Sequence, residues 1–262
     1  MPELFVNLPS FVACVLIVAG AQLIYATVGF GAGMFAVALM ALVLPDLTGI
    51  VVVLLILTFV TEVWVLARTW RRAKIHLLGW LVPGMVAGLW LGTQVLVATD
   101  VSLLKRLLGL VVIGAGLYLT LEHRARQGYQ NRAENEASLS LKASWISLPV
   151  GLLSGLLGAT FGTGGPPVII FLRAHSLDKA AFRSTILTYF LLMSLLRAGT
   201  YAKADLMTID RAVAAALLLP GSVAGIVIGM VIHNRISERQ FSQVVSLLLV
   251  VLGVLLVAGV GR

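Results

Sequence analysis

Long apolar runs constrain this chain more than any other feature of its sequence. A transmembrane helix needs about 20 mostly apolar residues. Runs that approach or reach this length lie near residues 9–28, 48–68, 76–97, 103–121, 143–161, 183–200, 211–232 and 239–260. Hydrophobic residues make up 60% of the 262 positions and charged residues only 11%, whereas a soluble domain has about 25% charged residues. The sequence therefore predicts an all-α, polytopic membrane protein with no separate soluble domain.

The charges and the single cysteine narrow the classes of function. The 19 Lys and Arg residues outnumber the 11 Asp and Glu residues. They cluster in short loops, and no basic stripe carries interleaved aromatic residues, so we expect no nucleic-acid partner. Cys14 is the only cysteine, which excludes an internal disulfide and a CxxC redox pair. The N-terminal segment lacks a basic signal-peptide region, and we predict that the first run stays as a membrane helix.

Two phrases occur twice, in the same order. ATVGFGAGMF begins at Ala26 and ATFGTGGPPV at Ala159, an offset of 133 residues. PGMVAGLWLG begins at Pro83 and PGSVAGIVIG at Pro220, an offset of 137 residues. We interpret the chain as two transmembrane repeats, residues 1–122 and 143–262, joined by a polar cytoplasmic linker at residues 123–142.

Each repeat contains one apolar piece that is too short to cross a bilayer. These pieces, residues 34–44 and 167–172, follow the glycine-rich phrases. At about 1.5 Å per residue, the longer piece covers about half of a hydrocarbon core about 30 Å thick. If each phrase turns the chain back, each repeat consists of a broken-helix hairpin plus three transmembrane helices, and the second repeat is inverted relative to the first.

The basic residues test this inverted topology. With both termini outside, 13 of the 19 Lys and Arg residues fall in inner loops, as the positive-inside rule requires. Lys105 and Arg106 fall on the outer side and are the weakest point of the assignment.

The two glycine-rich breaks form the candidate substrate site. Irregular backbone survives at membrane depth only where it is buried in protein or lines a polar cavity. Glycine permits a positive φ and close approach of a ligand, and the following short helix would aim its N-terminal N–H groups at an anion. Prolines in the first turn favour this helix start. The candidate substrate-binding residues here are Thr27, Gly29, Phe30, Gly31, Ala32, Gly33, Thr160, Gly162, Thr163, Gly164, Gly165 and Pro166.

The alternative for these glycines is that they only permit close helix packing. That interpretation applies more directly to a second set, which recurs every four residues and forms a stripe along one face of a helix. This set comprises Gly84, Gly88 and Gly92 in the first repeat and Gly221, Gly225 and Gly229 in the second.

Arg197 and Glu62 are the clearest charges inside predicted spans. A charge within the membrane is costly and is therefore a functional candidate. Arg197 can bind an anion bidentately, or it extends to the nearby membrane surface. Glu62 is a candidate coupling residue that carries a proton, or it neutralises Arg68 or Arg72. Further polar residues that would line the cavity are Gln22, Tyr25, Thr58, Thr61 and Tyr189.

The sequence offers no pattern for catalysis or for a cofactor. The four histidines fall at span ends or in loops, without the spacing of haem or metal ligands. No paired carboxylates or activated nucleophile can be assigned. We therefore expect no catalytic residue, no metal and no cofactor, so the chain is not predicted to be an enzyme.

The two halves resemble the sulfite exporter TauE/SafE family of bacterial permeases. The resemblance covers nearly the whole chain and rests on GTGGPPVIIFL, which begins at Gly162, and on GFGAGMFAVALMALVLP, which begins at Gly29. The second-half phrase fits the family's GxGG pattern, while the first half has Ala32 where the family more often has glycine. The resemblance implies movement of sulfite, sulfonates or related organosulfur anions across the bacterial cytoplasmic (inner) membrane.

These observations predict a secondary transporter that works by alternating access around a midplane anion site. Its expected partners are a small anionic substrate and the lipid bilayer. A homodimer is a possible oligomeric state. One alternative is a passive anion channel, which needs a continuous polar pore. Another is a membrane redox enzyme, but the sequence lacks paired cysteines, haem ligands and metal-binding spacing. Replacing Gly164 with Leu is expected to abolish anion binding while leaving membrane insertion intact.

Overall fold

The computed structural model describes residues 2–28, 32–69, 72–129, 143–173, 175, 177–233 and 238–259. Across these residues the chain forms ten α-helices and no strand, which confirms the all-α prediction. The helices are α1 (Leu8–Val28), α2 (Ala32–Val43), α3 (Leu47–Thr69), α4 (Leu81–Ala98), α5 (Val101–Tyr129), α6 (Ala143–Phe161), α7 (Gly165–Arg173), α8 (Lys179–Lys203), α9 (Ile209–His233) and α10 (Glu238–Val257). A short 3₁₀ helix, Ile75–Leu78, precedes α4.

Polar residues at the membrane surface fix several helix starts. Asn7 accepts a hydrogen bond from the backbone N–H of Ser10, and the Ser10 hydroxyl accepts one from the N–H of Asn7, which caps α1 reciprocally. The Asp46 carboxylate accepts a hydrogen bond from the N–H of Gly49 and caps α3. Apolar runs therefore begin where a capping side chain meets the first free N–H groups.

The helix lengths fall into two classes. Among the described residues, four helices are long and apolar enough to cross a membrane, and their spans are Leu8–Tyr25, Leu81–Ala98, Val101–Tyr118 and Ile209–Val231. In contrast, α2 has 12 residues and α7 has 9. At about 1.5 Å per residue these two helices extend about 18 Å and about 14 Å, well short of a hydrocarbon core of about 30 Å. The two predicted short pieces are thus short helices in the structure.

The helices pair in a pattern that is preserved when the two halves are exchanged. Helix α4 packs extensively on α6, and α1 packs extensively on α9; these two pairs correspond to each other under that exchange. The pairs α5 with α10 and α3 with α8 each map onto themselves. This arrangement is expected of two related halves, while the inverted orientation of the second half stays a prediction.

The glycine stripe on α4 packs directly on the backbone of α6. A Cβ atom added to Gly84 or Gly88 would overlap the carbonyl oxygen of Leu148 or Leu152, respectively. In the other half, a Cβ on Gly225 would overlap the carbonyl oxygen of Ala19 on α1. The packing role predicted for these glycines is therefore confirmed, because only glycine allows backbones to approach this closely.

Two features differ from the sequence-based expectations. Helix α5 continues to Tyr129, seven residues into the predicted linker, and residues 130–142 lie outside the described part. Lys105 is buried, with 5% of its side chain exposed, and its Nζ donates a 3.0 Å hydrogen bond to the carbonyl oxygen of Leu44 at the end of α2. Lys105 thus caps the end of α2 rather than extending freely from a loop.

Candidate anion-binding site

The predicted break in the second half is present between α6 and α7. Helix α6 ends at Phe161, and Gly162 takes the left-handed conformation, with φ of +68°. The N–H of Gly162 donates a 2.9 Å hydrogen bond to the carbonyl oxygen of Gly158, which is the αL type of helix C-cap. Helix α7 then begins at Gly165. Gly162 is therefore needed because the chain must leave α6 in a conformation that other L-residues rarely adopt.

Side chains of α8 satisfy the carbonyl groups at the end of α6. Arg197 donates a 2.7 Å hydrogen bond from Nη1 to the carbonyl oxygen of Gly158. The Tyr201 hydroxyl donates to the carbonyl oxygen of Ala159. These contacts fix the broken end of α6 against α8, which places the arginine side chain beside the break.

The start of α7 leaves few backbone donors for a ligand. Pro166 and Pro167 have no amide hydrogen, so Gly164 and Gly165 supply the N–H groups nearest the helix start. The carbonyl oxygen of Gly164 accepts a 2.5 Å hydrogen bond from the Ser154 hydroxyl. The N–H groups that can face an anion are thus fewer than the first turn of an ordinary helix would provide.

The two glycine-rich phrases meet in space. A Cβ added to Gly33, in the first turn of α2, would lie 3.0 Å from the carbonyl oxygen of Gly162. Residues 29–31, which include the candidates Gly29, Phe30 and Gly31, lie outside the described residues. Thr27 lies in α1 and Ala32 in α2, and the description does not extend to their side chains.

A cavity opens where the two phrases meet. The cavity has a volume of about 100 Å³. Because a single water needs about 10–15 Å³ of such volume, the cavity has room for several waters or a small anion. Residues named as candidates from the sequence that line it are Gln22, Tyr25, Gly33, Thr58, Thr61, Glu62, Gly162, Thr163, Gly164, Gly165, Pro166 and Arg197. Their roles in binding stay predictions, but the fold brings them to one place.

Two candidate residues lie elsewhere. The Thr160 hydroxyl donates a 3.1 Å hydrogen bond to the carbonyl oxygen of Gly92 on α4, and Thr160 does not line the cavity. Tyr189 is fully buried on α8 and is likewise outside the lining. Thr160 therefore links α6 to α4, and Tyr189 is part of the buried core of α8.

Several lining residues were not anticipated from the sequence, namely Met34, Ala115, Tyr118, Ile169, Phe190, Met193 and Ser194. Phe190, Met193 and Ser194 precede Arg197 by seven, four and three residues on α8. Positions with this spacing share one face of a helix. The helical periodicity upstream of Arg197 was therefore a usable signal for these residues, whereas Ala115 and Tyr118 required the packing of α5.

Four polar atoms in the cavity wall have no hydrogen-bond partner among the described residues. They are the Tyr25 hydroxyl, Glu62 Oε2, the Thr163 hydroxyl and Arg197 Nε, and all are buried from bulk solvent. Buried polar atoms are nearly always paired, with protein, water or a ligand. Their convergence on one cavity indicates a site that is completed by something other than the protein's own side chains.

The two intramembrane charges both face this cavity. Arg197 is 4% exposed and Glu62 is 8% exposed. Ser194 and Arg197 both lie near enough to the Glu62 carboxyl group to interact with it electrostatically. The described ion pairs do not join Glu62 to Arg197 within 4.0 Å. The guanidinium can therefore still donate hydrogen bonds to a ligand in the cavity. Arg197 does not extend to the membrane surface, because its side chain is buried at the cavity wall.

The donor set determines which ligands the cavity suits. Across the described residues, no group of three His, Cys, Asp or Glu side chains is arranged to hold a metal ion. The cavity instead combines a guanidinium, hydroxyl groups and the N-terminal end of α7. Groups of this kind donate hydrogen bonds to anionic oxygen atoms.

The fold and the cavity define a polytopic α-helical membrane protein with a cavity where the two glycine-rich phrases meet. The chain matches the sulfite exporter TauE/SafE family over residues 14–256, and it belongs to this family of membrane transporters. No curated protein and no solved structure matched the chain in the same comparisons.

Proposed function

We propose that the protein is a secondary transporter that moves a small anion across the bacterial cytoplasmic membrane, and that the cavity is its substrate site. The substrate class is sulfite, a sulfonate or another organosulfur anion. One observation carries the proposal: Arg197, buried where the two broken helices meet, has an Nε group without a partner among the described residues.

The chemistry of the cavity supports an anionic substrate with oxygen atoms. Arg197 holds the Gly158 carbonyl oxygen with Nη1 and leaves Nε for a ligand. The Thr163 hydroxyl and the N-terminal end of α7 add further donors at the same wall. A guanidinium binds tetrahedral or trigonal oxyanions through parallel N–H groups, and the helix dipole favours negative charge at this end. These donors support a small oxyanion as the substrate.

The apolar part of the wall suits an organic group on the anion. Met34, Phe190 and Met193 line the same cavity as Arg197. Methionine side chains adapt to ligands of different shape because they are unbranched and polarizable. This combination favours sulfonates, which carry an apolar carbon chain beside the charged head, as well as sulfite itself.

Contacts between helices at one end of the bundle support a carrier rather than a channel. Lys105 fastens the end of α2 to α5, and Arg211 forms a 3.5 Å ion pair with Asp46 between α9 and the start of α3. A channel needs a continuous pore lined by polar groups. Counterflow of labelled sulfite in liposomes that saturates with substrate is expected for a carrier, whereas flux that rises linearly without counterflow would favour the channel.

Binding by purified protein tests the site directly. We expect sulfite, thiosulfate or sulfoacetate to raise the unfolding temperature, and we expect replacement of Arg197 by Lys to weaken binding about 10- to 100-fold. That range corresponds to about 1.5–3 kcal/mol for a hydrogen bond to a charged group, because Lys cannot keep the planar fork that holds both Gly158 and the anion.

Arg211→Lys is the matched control for this variant. Arg211 is also partly buried and donates to a backbone carbonyl, that of Leu206, but it lies away from the cavity. This variant should bind anions as the wild type does. Undiminished affinity in a folded Arg197→Lys protein, judged by its elution profile and helical content, would contradict the assignment.

A further inference from the structure

We propose that Glu62 is a proton-binding site coupled to the anion site, so that one proton enters and leaves the cavity with each anion. The inference rests on the proposed function and specifies how transport is energised. The proton comes from water on the side to which the cavity is open. It is held on the Glu62 carboxyl group while the anion is bound and is released to water when the anion leaves.

The placement of the carboxyl group carries the proposal. Glu62 lines the same cavity as Arg197, it is 8% exposed, and its Oε2 atom has no hydrogen-bond partner among the described residues. Removing an unpaired carboxylate from water is costly unless a positive charge or a proton compensates it. In the empty cavity Arg197 offsets part of this cost through an electrostatic interaction, and burial remains the larger effect.

An incoming anion removes that compensation. When a sulfonate binds to the guanidinium of Arg197, the cavity holds at least two negative charges, those of the anion and of Glu62, and one positive charge. Like charges in a poorly hydrated cavity disfavour each other, and protonation of one of them removes the repulsion. A sulfonate is a much weaker base than a carboxylate, so the proton resides on Glu62. The anion and the proton therefore favour each other's binding, and this coupling is reciprocal.

The surrounding groups leave Glu62 as the proton carrier. Arg197 on α8 is the charged residue that acts on it, with the Ser194 hydroxyl beside it. Tyr25 from α1 and Tyr118 from α5 are the other titratable residues in the described lining, and α2 contributes Gly33 and Met34, which do not titrate. Residues of α9 are absent from that lining.

Calorimetry with purified full-length protein tests the proposal. Thiosulfate and sulfoacetate are suitable probes because their charge is constant near neutral pH. Titration in two buffers of different ionisation enthalpy should show about one proton taken up per anion bound. As the pH rises, the affinity for the anion should fall about tenfold for each pH unit over the range in which the proton is taken up.

Glu62→Gln mimics the protonated carboxyl group. This variant should bind the anion with no proton uptake and with an affinity independent of pH. In liposomes it should retain counterflow but lose accumulation driven by a pH gradient. Asp100→Asn, which removes an exposed carboxylate between α4 and α5, should behave as the wild type in each measurement. Tyr25→Phe should also keep the proton uptake, since the hydroxyl is not the proton carrier.

Three results of these titrations would overturn the inference while leaving the proposed function intact. They are anion binding by the wild type without proton uptake, proton uptake that persists in Glu62→Gln, and loss of uptake in Tyr25→Phe. If Glu62→Gln does not fold, the wild-type and Tyr25→Phe titrations still decide the question. Tighter binding of taurine than of the other anions at every pH would also overturn the inference, because Glu62 would then pair with the ammonium group of taurine. Failure of every anion to bind at any pH would instead reject the proposed function.

Discussion

Gly162 shows how one residue can serve both the fold and the site. Its φ of +68° ends α6, and an added Cβ would lie 3.5 Å from Nη1 of Arg197. The same backbone turn that frees the start of α7 thus also positions the guanidinium. At the residue scale, the glycine-rich phrase combines a helix C-cap with close approach of a ligand-binding side chain.

Replacement of Gly162 by Ala is expected to destabilise the protein by about 1–2 kcal/mol, because an L-residue is strained in the left-handed conformation. The thermal unfolding temperature in detergent is the measurement. Gly199→Ala is a matched control, since Gly199 lies on the exposed face of α8 with nothing within 4 Å of an added Cβ. Equal unfolding temperatures for Gly162→Ala and the wild type would show that the turn carries no strain penalty.

Gly164 packs closely against α6 and α8, so a larger residue at this position changes more than the binding site. A Cβ at this position would lie 2.5 Å from the carbonyl oxygen of Ser154 and 2.9 Å from the sulfur of Met193. A leucine at this position disturbs the packing of α6, α7 and α8 as well as any ligand contact. Gly164→Leu therefore does not separate binding from folding, whereas Arg197→Lys with its control does.

At the scale of the helix, the short α2 depends on a cap from another helix. Lys105 of α5 donates to the carbonyl oxygen of Leu44, and its side chain is almost fully buried. A positive charge at a helix C-terminus also interacts favourably with the helix dipole. This contact holds a helix of only 12 residues in a fixed position against α5.

Lys105→Met should therefore lower the thermal unfolding temperature, because it leaves the Leu44 carbonyl without its charged donor, a loss of about 1.5–3 kcal/mol. Arg106→Met, which removes the neighbouring exposed charge, should have little effect. If both variants unfold at the wild-type temperature, the capping role of Lys105 is wrong.

The start of α8 responds to pH through its N-cap. The backbone N–H groups of Ala181 and Ala180 donate to the Asp178 carboxylate and, together with nearby Arg72 and Lys74, lower its pKa. A group whose pKa is lowered on folding contributes stability above its unfolded value, and this stability is lost as the pH falls through the folded pKa.

Asp178→Asn is expected to keep the cap, since Asn is also a favoured N-cap residue, but to remove its titration. The unfolding temperature of the variant should consequently fall less than that of the wild type between about pH 6 and about pH 3, a range that includes the ordinary aspartate pKa of about 3.9. Identical pH profiles would show that the Asp178 cap does not contribute to acid sensitivity.

For the whole molecule, helix positions were far more predictable than side-chain directions. The predicted run at 143–161 became Ala143–Phe161 and that at 211–232 became Ile209–His233, because bilayer thickness and capping residues fix where apolar helices begin and end. Thr160 and Thr163 looked equivalent in the sequence, yet Thr163 lines the cavity and Thr160 bonds to α4. Which side chain faces the cavity depends on the rotation of each helix against its neighbours, which a single sequence does not encode locally.

The two short helices are packed unequally, although they occupy corresponding positions in the two halves. Helix α2 contacts α1, α3, α5 and α10, whereas α7 is held mainly by α6 and α8. Two inverted repeats, as predicted from the sequence, can be unequal in two ways that mirror each other. We expect the second way, with α7 tightly held and α2 released, to be close in free energy to the first, and the pocket would then open to the opposite face of the membrane.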